Sequence, residues 1–231
     1  MEESQLLREQ VEYYQARAGE YDEWFLREGR YDRGPEHRAE WFREGALVEA
    51  ELRKALESGE VLELACGTGL WTRHLVEQHS RVVAVDASPE AIAINRSRVH
   101  SDVVEYVVAD LFTWEPAAQF DAVFFGFWLS HVPPKQFDAF WAKVKASLKP
   151  NGRVFFVDSL LEQASTARDH ARLDDSGVVR RRLNDGREFR IVKMFYEPAL
   201  LERRLSDRGW SGWVRSSGKF FLYGTVRSAA G

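Results

Sequence analysis

Between residues 61 and 159 the chain alternates short apolar runs with longer amphipathic stretches, and this alternation limits the possible folds more than any other feature. The runs are "VLELA" (61–65), "RVVAVD" (81–86), "VEYVVAD" (104–110), "FDAVFFGF" (120–127) and "GRVFFVDS" (152–159). Helix-like stretches at 70–78, 88–98 and 135–148 separate most of them. Strands joined by helices must run parallel, and near-continuous apolar runs belong to strands covered on both faces. Punctuation agrees with this reading. Asp86-Ala87-Ser88-Pro89 offers a serine N-cap with proline at the first helical position, and Lys149-Pro150-Asn151-Gly152 closes a helix before a strand.

The flanks are different in kind. Residues 1–57 carry two helix-like stretches, 3–28 and 36–57, separated by "GRYDRGP", and read as a helical cap on a core of 58–231. Within that core, 159–196 reads as an insertion. It has a charged helical stretch around 160–174, then two β-like runs about the turn Asn184-Asp185-Gly186. A last helix runs from Glu197 to about Arg208, followed by two strands around Ser216-Ser217-Gly218. Strands joined by so short a turn are antiparallel, so the sheet is expected to be mixed at one edge.

Composition narrows the setting. One cysteine, Cys66, forbids an intramolecular disulfide and a cysteine zinc cluster, which suits a reducing cytoplasm. A net charge of -4 supplies no global field for a polyanion. The charged start of the chain has no signal-peptide core, and no apolar run is long enough for membrane insertion.

The turn after the first run bears the pattern Gly67-x-Gly69, follows the first strand of the alternation and opens a helix. That is where open α/β sheets bind nucleotides, and Asp86, ending the next strand, stands at the distance at which a carboxylate accepts ribose hydroxyls. A dinucleotide fingerprint from Gly67 requires glycine or alanine at position 72, where Thr72 stands. Extended backward, the pattern is Glu63-x-Ala65-x-Gly67-x-Gly69, which resembles the first motif of the class I S-adenosylmethionine-dependent methyltransferases, with Ala65 in place of a usual glycine. The resemblance continues through Asp86, "VVADLF", "FDAVFFGF" and "LKPNGRVFFVDS", over roughly residues 60–160 and the two closing strands.

That resemblance implies a Rossmann-like, doubly wound α/β fold. Its seven-stranded, mostly parallel sheet has an antiparallel last strand, an N-terminal helical cap and an inserted helix-hairpin after strand five. It implies S-adenosylmethionine as cofactor and S-adenosylhomocysteine as product. By the same resemblance Glu63 holds the amino-acid end of the cofactor, Ala65, Gly67 and Gly69 form its turn, and Trp71 and Tyr21 contact it. Asp86 takes both ribose hydroxyls, Ala87 packs on the adenine, Asp110 and the Leu111 backbone read the adenine edge, and Phe127 lines the floor near the sulfonium. Ala65 is expected to cost little, as only a methyl is added.

The cofactor brings its own electrophile, so the protein aligns a nucleophile and excludes water, with a base needed only for a protonated acceptor. His131, in the stretch "GFWLSHVPP" after strand four, is the candidate base. Tyr14 and Tyr21 lie in "YYQARAGEYDEWF", which resembles a lid segment of small-molecule methyltransferases. Arg17 there is placed to meet a carboxylate, although Tyr14, Tyr21 and Phe25 also recur at helical packing intervals. Eight tryptophans are many for this length, and an aromatic wall of Trp24, Trp41, Trp71 and Trp128 suits a planar or hydrophobic acceptor, or one carrying positive charge. Asp158 has no evident partner carboxylates, so no metal is expected.

The reading is therefore a methyltransferase acting on an O, N, S or C nucleophile of a small-molecule acceptor, aromatic or anionic. Two alternatives stand beside it. One is a nucleic-acid methyltransferase that uses Arg180, Arg181, Arg182, Arg187, Arg190 and Lys193 of the hairpin as a phosphate-binding arm. Strand alternation disfavours it by splitting Arg181 from Arg180 and Arg182. The other is a non-catalytic S-adenosylmethionine-binding protein.

Overall fold

The first strand, β1 (Glu60–Leu64), pairs in parallel with β2 (Arg81–Asp86) on one side and β4 (Phe120–Gly126) on the other. β3 (Val104–Val108) extends the sheet beyond β2, and β5 (Leu148–Ser159) extends it beyond β4. The chain was analysed as a computed structural model that describes residues 2–170 and 177–228. The hairpin β8 (Trp210–Ser216) and β9 (Phe221–Ser228) completes a seven-stranded sheet of order β3-β2-β1-β4-β5-β9-β8, with β9 antiparallel to both neighbours. The expected mostly parallel sheet with one antiparallel strand is present. A separate hairpin, β6 (Val178–Arg182) and β7 (Glu188–Val192), stands outside it.

Alternate residues of the central strands feed two cores. Phe125 and Phe156 stack at 5.5 Å on one face, with α6 (Phe137–Ala146) and α7 (Pro198–Ser206) packed there. Their register neighbours Phe124 and Phe155 point to the other face, where α3 (Pro35–Ala55) lays down Trp41, Val48 and Leu52. Both faces are thus dry, which is why these strands read as unbroken apolar runs. Ser88 caps α5 (Pro89–Val99) through Ala91 N as expected. Among the described residues no helix is long and apolar enough to cross a membrane.

The structure departs from the sequence reading in four places. The helix expected over 3–28 is two, α1 (Glu2–Arg17) and α2 (Tyr21–Leu26), because the chain bends through a short turn at Ala18–Glu20 that carries Gly19. The bend sends Tyr21 and Trp24 back toward the sheet. The helix expected over 70–78 is the single turn α4 (Thr72–Leu75). Lys149 to Gly152 belongs to β5, not to a helix end, and makes an irregularity with Asn151 at positive φ.

The helix expected around 160–174 is absent over 160–170, where only Gln163–Ser165 coils, and its remainder lies outside the described residues. The cause is long-range. Arg27, fully buried, donates to the carbonyls of Ala164 (2.7 Å) and Ser165 (3.1 Å), Trp24 Nε1 donates to Ser165 O (2.8 Å), and Arg33 donates to Thr166 O (3.2 Å). Carbonyls that a helix would use internally instead hold the cap to the insertion. The cap is fixed to the hairpin as well, since Gln10 donates to His131 O (3.2 Å) and accepts from Val192 N (3.0 Å).

The turn after β1 also differs from expectation in its energetics. Ala65 sits at φ +56°, a left-handed conformation that costs an L-residue about 1 kcal/mol or more, so the alanine is not free. Gly69 has no such choice, because a Cβ there would lie 2.6 Å from Asn95 Oδ1. Ala65→Gly is expected to stabilise the protein by up to about 1 kcal/mol, raising Tm by roughly 2–4 °C in a scanning experiment. A lower Tm would mean that the Ala65 methyl contributes more by packing than its backbone costs.

Candidate functional site

Strand order reverses between β1 and β4, so the loops leaving their carboxyl ends diverge and open a crevice. Two adjoining cavities occupy it. The first is lined by Ala65 and Gly67 from the β1 turn, Asp86 and Ala87 after β2, Asp110 and Leu111 after β3, and Phe127 after β4. Tyr21 from the cap closes it. Asp86 is fixed at both oxygens, accepting from Gly67 N (2.9 Å) and Ser88 N (2.8 Å). Burial raises its pKa and those amides oppose the rise. Asp110 accepts from Phe112 N (2.9 Å), which turns the chain and presents the residue at the cavity edge.

The cavity fits S-adenosylmethionine by its donor set. A Cβ added at Gly67 would meet no atom within 4 Å, so the turn is bare toward the cavity. Two carboxylates stand ready for hydroxyl and amino donors, while Ala87, Leu111 and Phe127 provide apolar surface for a flat base and a thioether. Phe127 keeps φ +56° and is held there by Trp24 edge-on at 4.7 Å and by Phe127 N donating to Val157 O (2.7 Å).

Three residues expected at the cofactor do not line the cavity. Glu63 is 1% exposed and accepts the Thr72 hydroxyl (2.7 Å); Thr72 in turn accepts from Asn95 (2.8 Å), whose carbonyl accepts from Tyr106 OH (2.9 Å). The acid thus anchors a polar chain that braces the glycine turn from behind, and burial pushes its pKa up to about 8. Gly69 is taken up by the close approach of Asn95, and Trp71 packs beneath Gly126 and Phe124.

The second cavity shares Tyr14, Tyr21, Phe127 and His131 with the first. Three buried cations face it: Arg17, Arg181 and Lys193. Arg17 lies over the Tyr21 ring at 4.9 Å and donates to Tyr31 OH (3.3 Å). No protein carboxylate pairs with it among the described residues. Arg181 likewise has no carboxylate partner among them, and burial lowers its pKa. His170 also lines this cavity, and burial beside Arg181 pushes its pKa down to about 4. Among the described residues no three His, Cys, Asp or Glu side chains form a metal-binding group.

Tyr14 and His131 come together on the shared wall. His131 Nδ1 lies 2.7 Å from Val192 O, which can only accept, so Nδ1 carries the proton and Nε2 accepts from Tyr14 OH (2.7 Å). Burial, then Lys193, drives the His131 pKa well below the ordinary imidazole value, and burial drives that of Tyr14 well above the phenol value. Both are neutral at physiological pH.

Known proteins resemble this chain in sequence and in fold. Residues 61–152 match the family described as a methyltransferase domain. A solved structure of DhpI with S-adenosylhomocysteine is 42% identical, covers 98% of each chain and superposes with a TM-score of 0.80. The same protein is also known as a complex with S-adenosylmethionine and HEP. The ubiquinone biosynthesis O-methyltransferase of Xylella fastidiosa (strain 9a5c) is 34% identical over 45% of this chain and 43% of its own. The trans-aconitate 2-methyltransferase of Azoarcus sp. (strain BH72) is 40% identical over 29% of this chain and 27% of its own. This chain thus matches less than half the length of these curated relatives. The chain belongs to the class I S-adenosylmethionine-dependent methyltransferases.

A buried neutral histidine has a consequence for pH. The unfolded chain takes a proton on His131 below about pH 6.5 while the folded chain does not, so stability is full above that value and is lost as pH falls below it. His37, His79 and His170 are depressed as well and act in the same direction. Glu63, whose raised pKa adds stability as pH falls, opposes them, so the fall in urea midpoint between about pH 7 and pH 5 is expected to be larger in Glu63→Gln than in the parent. Ring-nitrogen shifts of His131 are expected to keep the neutral, Nδ1-protonated pattern throughout. An imidazolium pattern at the upper end of that range would contradict the assignment.

Proposed function

We propose that the chain transfers the methyl group of S-adenosylmethionine to a nucleophile of a small anionic acceptor. The observation that carries the reading is the junction of the two cavities. A nucleotide-shaped chamber with two carboxylates meets, across Tyr14, Tyr21, Phe127 and His131, a chamber bearing Arg17, Arg181 and Lys193. The bound cofactor supplies a methyl group on a positively charged sulfur, which a nucleophile displaces in line. Asp86 accepts the ribose hydroxyls, Ala87 and Leu111 hold the adenine with Asp110 at its edge, and Phe127 forms the floor. Arg17 and Arg181 grip the acceptor's negative charge and orient its nucleophile; fixed guanidiniums suit this because they hold an oxyanion in defined geometry. Trp24 and the cap keep water out.

The Tyr14–His131 pair fits an acceptor that is already ionised. His131 Nε2 is committed to the Tyr14 hydroxyl, so it does not face the acceptor as a free base. With its proton held by His131, the Tyr14 oxygen is left as an acceptor only, so it orients a hydrogen-bond donor carried elsewhere on the acceptor molecule and not the attacking oxyanion. No proton need be removed when an oxyanion attacks. The enclosure supports a small acceptor over nucleic acid. Of the hairpin's outward cations three are already paired, Arg180 with Glu188, Arg187 with Asp185 and Arg190 with Glu9, which leaves Arg182 alone, too little for a phosphate-binding arm. A second chamber beside the first also disfavours a non-catalytic binder. The lone cysteine, buried Cys66, suits a cytoplasmic setting.

Methyl-labelled S-adenosylmethionine incubated with the protein and a cell extract is expected to label the small-molecule fraction, in species retained by an anion exchanger before reaction. Methylation of an oxyanion removes a charge, so the product then elutes earlier. Label in RNA, DNA or protein would overturn the reading. Asp86→Asn is expected to weaken S-adenosylhomocysteine binding by about tenfold or more in calorimetry, from the loss of charge-assisted hydrogen bonds. Unchanged affinity would remove the ribose assignment. Arg181→Met is expected to raise the acceptor KM by about tenfold or more while cofactor affinity stays within about twofold. A normal KM would show that the anion is gripped elsewhere.

A further inference from the structure

Asp158 is completely buried at the end of β5 and does not line either cavity, yet it touches everything that positions Lys193. Its Oδ2 accepts from Ser130 N (2.8 Å), and its Oδ1 accepts from Ser159 N (2.7 Å) and lies 3.6 Å from Lys193 Nζ. Lys193 in turn donates to Ser130 Oγ (2.7 Å), and Met194 N donates to Ser130 O (2.7 Å). One carboxylate therefore ties the loop after β4, the end of β5 and the segment after β7 to a single point. Ser130 is the residue before His131, and His131 is bonded to Val192, the residue before Lys193.

Two backbone amides can be satisfied by a neutral carbonyl. A buried negative charge is a costly way to accept them unless a cation requires it. That cation is Lys193, whose surroundings are otherwise hostile to an ammonium. From β6 it meets Arg181, from α1 Arg17 and the neutral Tyr14, from the loop after β4 the neutral His131, and on its own segment the Phe195 ring at 5.5 Å. Burial, Arg181 and Arg17 all favour loss of its proton, and Asp158 is the group that opposes them.

Resting on the anionic-acceptor reading above, we infer that Asp158 is a positioning residue. It acts through Lys193, holding a third, anchored cation beside Arg17 and Arg181 in the acceptor chamber. Arg17 and Arg181 are not neutralised by any described carboxylate, so they provide the charge that draws the acceptor. Lys193, with its charge countered from behind, serves as a directed hydrogen-bond donor. The chamber thus has two attracting cations and one aiming cation.

The test uses sulfate as the probe, because it stays dianionic across the range and any pH dependence then belongs to the protein. Calorimetry is run on the protein loaded with S-adenosylhomocysteine. For Asp158→Asn, sulfate affinity near pH 8 is expected to fall by about tenfold and to recover to within about threefold near pH 6, because the alkaline loss of binding moves to lower pH. Asp158→Glu is expected to keep the alkaline loss near its original position. Adding Lys193→Arg to Asp158→Asn is expected to abolish that loss, since a guanidinium does not deprotonate there. A merely structural role would weaken binding equally at every pH. That result, or an Asp158→Asn profile identical to the parent's, overturns the proposal. Should Asp158→Asn fail to fold, the Lys193 Nζ resonance of the unaltered protein decides: an ammonium near pH 8 is expected, and a neutral amine there overturns the proposal. Failure of the underlying reading looks different, because the unaltered protein would then bind no sulfate, or would bind it as well with Arg181→Met, and the proposal would fall with it.

Discussion

The parallel pairing of β1 with both β2 and β4 is the constraint from which the rest follows. Chain leaving β1 toward β2 and chain leaving β4 toward β5 must depart on opposite sides of the sheet, so no loop covers the gap between the two strand ends. The sheet supplies the floor of that gap through the Ala65–Gly69 turn and Phe127, both with left-handed backbone residues that let the chain clear it. Everything outside the sheet, the cap and the β6–β7 hairpin, then acts as wall and roof. Gln10 of the cap is a joint, because its amide accepts from the hairpin at Val192 N and donates to the loop after β4 at His131 O.

Buried charge is distributed by the same logic. Where a charge only builds structure it is spent inside the fold: Glu44 accepts from Ser217 Oγ (2.5 Å), Lys219 N (2.8 Å) and Phe220 N (2.9 Å), and Arg27 donates to carbonyls and lies over the Trp41 ring at 4.4 Å. Where a charge faces the chambers it is left with capacity. Asp86 uses two of its lone pairs on amides, and Arg181 has no carboxylate among the described residues. Leaving a buried guanidinium without a counter-ion costs stability. The cost is intelligible at a surface that a charged ligand completes.

How much of this was legible depended on the range of the interactions. Strands buried on both faces declare themselves locally, so β1, β2, β4 and β5 could be read from apolar runs, and the turn after β1 from its glycines. The alternation that put Arg181 opposite Arg180 and Arg182 was legible too, and their burial follows it, but which face turned inward depended on α1. The segment after β5 read as helical because its charges and apolar residues recur at helical intervals. Its carbonyls are instead taken by Arg27, Arg33 and Trp24, more than a hundred residues away in sequence. Glu63 was visible as an anomaly, but a strand residue has two faces, and the partner that settles its direction is Thr72, the residue that also breaks the dinucleotide pattern. His170, Asp158 and Lys193 carry no local signal, since only the folding of the insertion over the crevice brings them there.

The shared wall has to suit two ligands of opposite charge at the reacting ends, a sulfonium on one side and an anion on the other. A titrating group at that boundary would change the field seen by both. A Tyr14–His131 pair that burial keeps neutral avoids this, because it can hold a donor group of the acceptor molecule on the Tyr14 oxygen while contributing no net charge. The charge needed to hold the acceptor is set deeper, on Arg17, Arg181 and Lys193, and the charge needed by the ribose is set on the far side, on Asp86. Separating orientation from charge lets the attraction between the acceptor's negative charge and the sulfonium bring the reacting atoms together, with the protein fixing the line of approach.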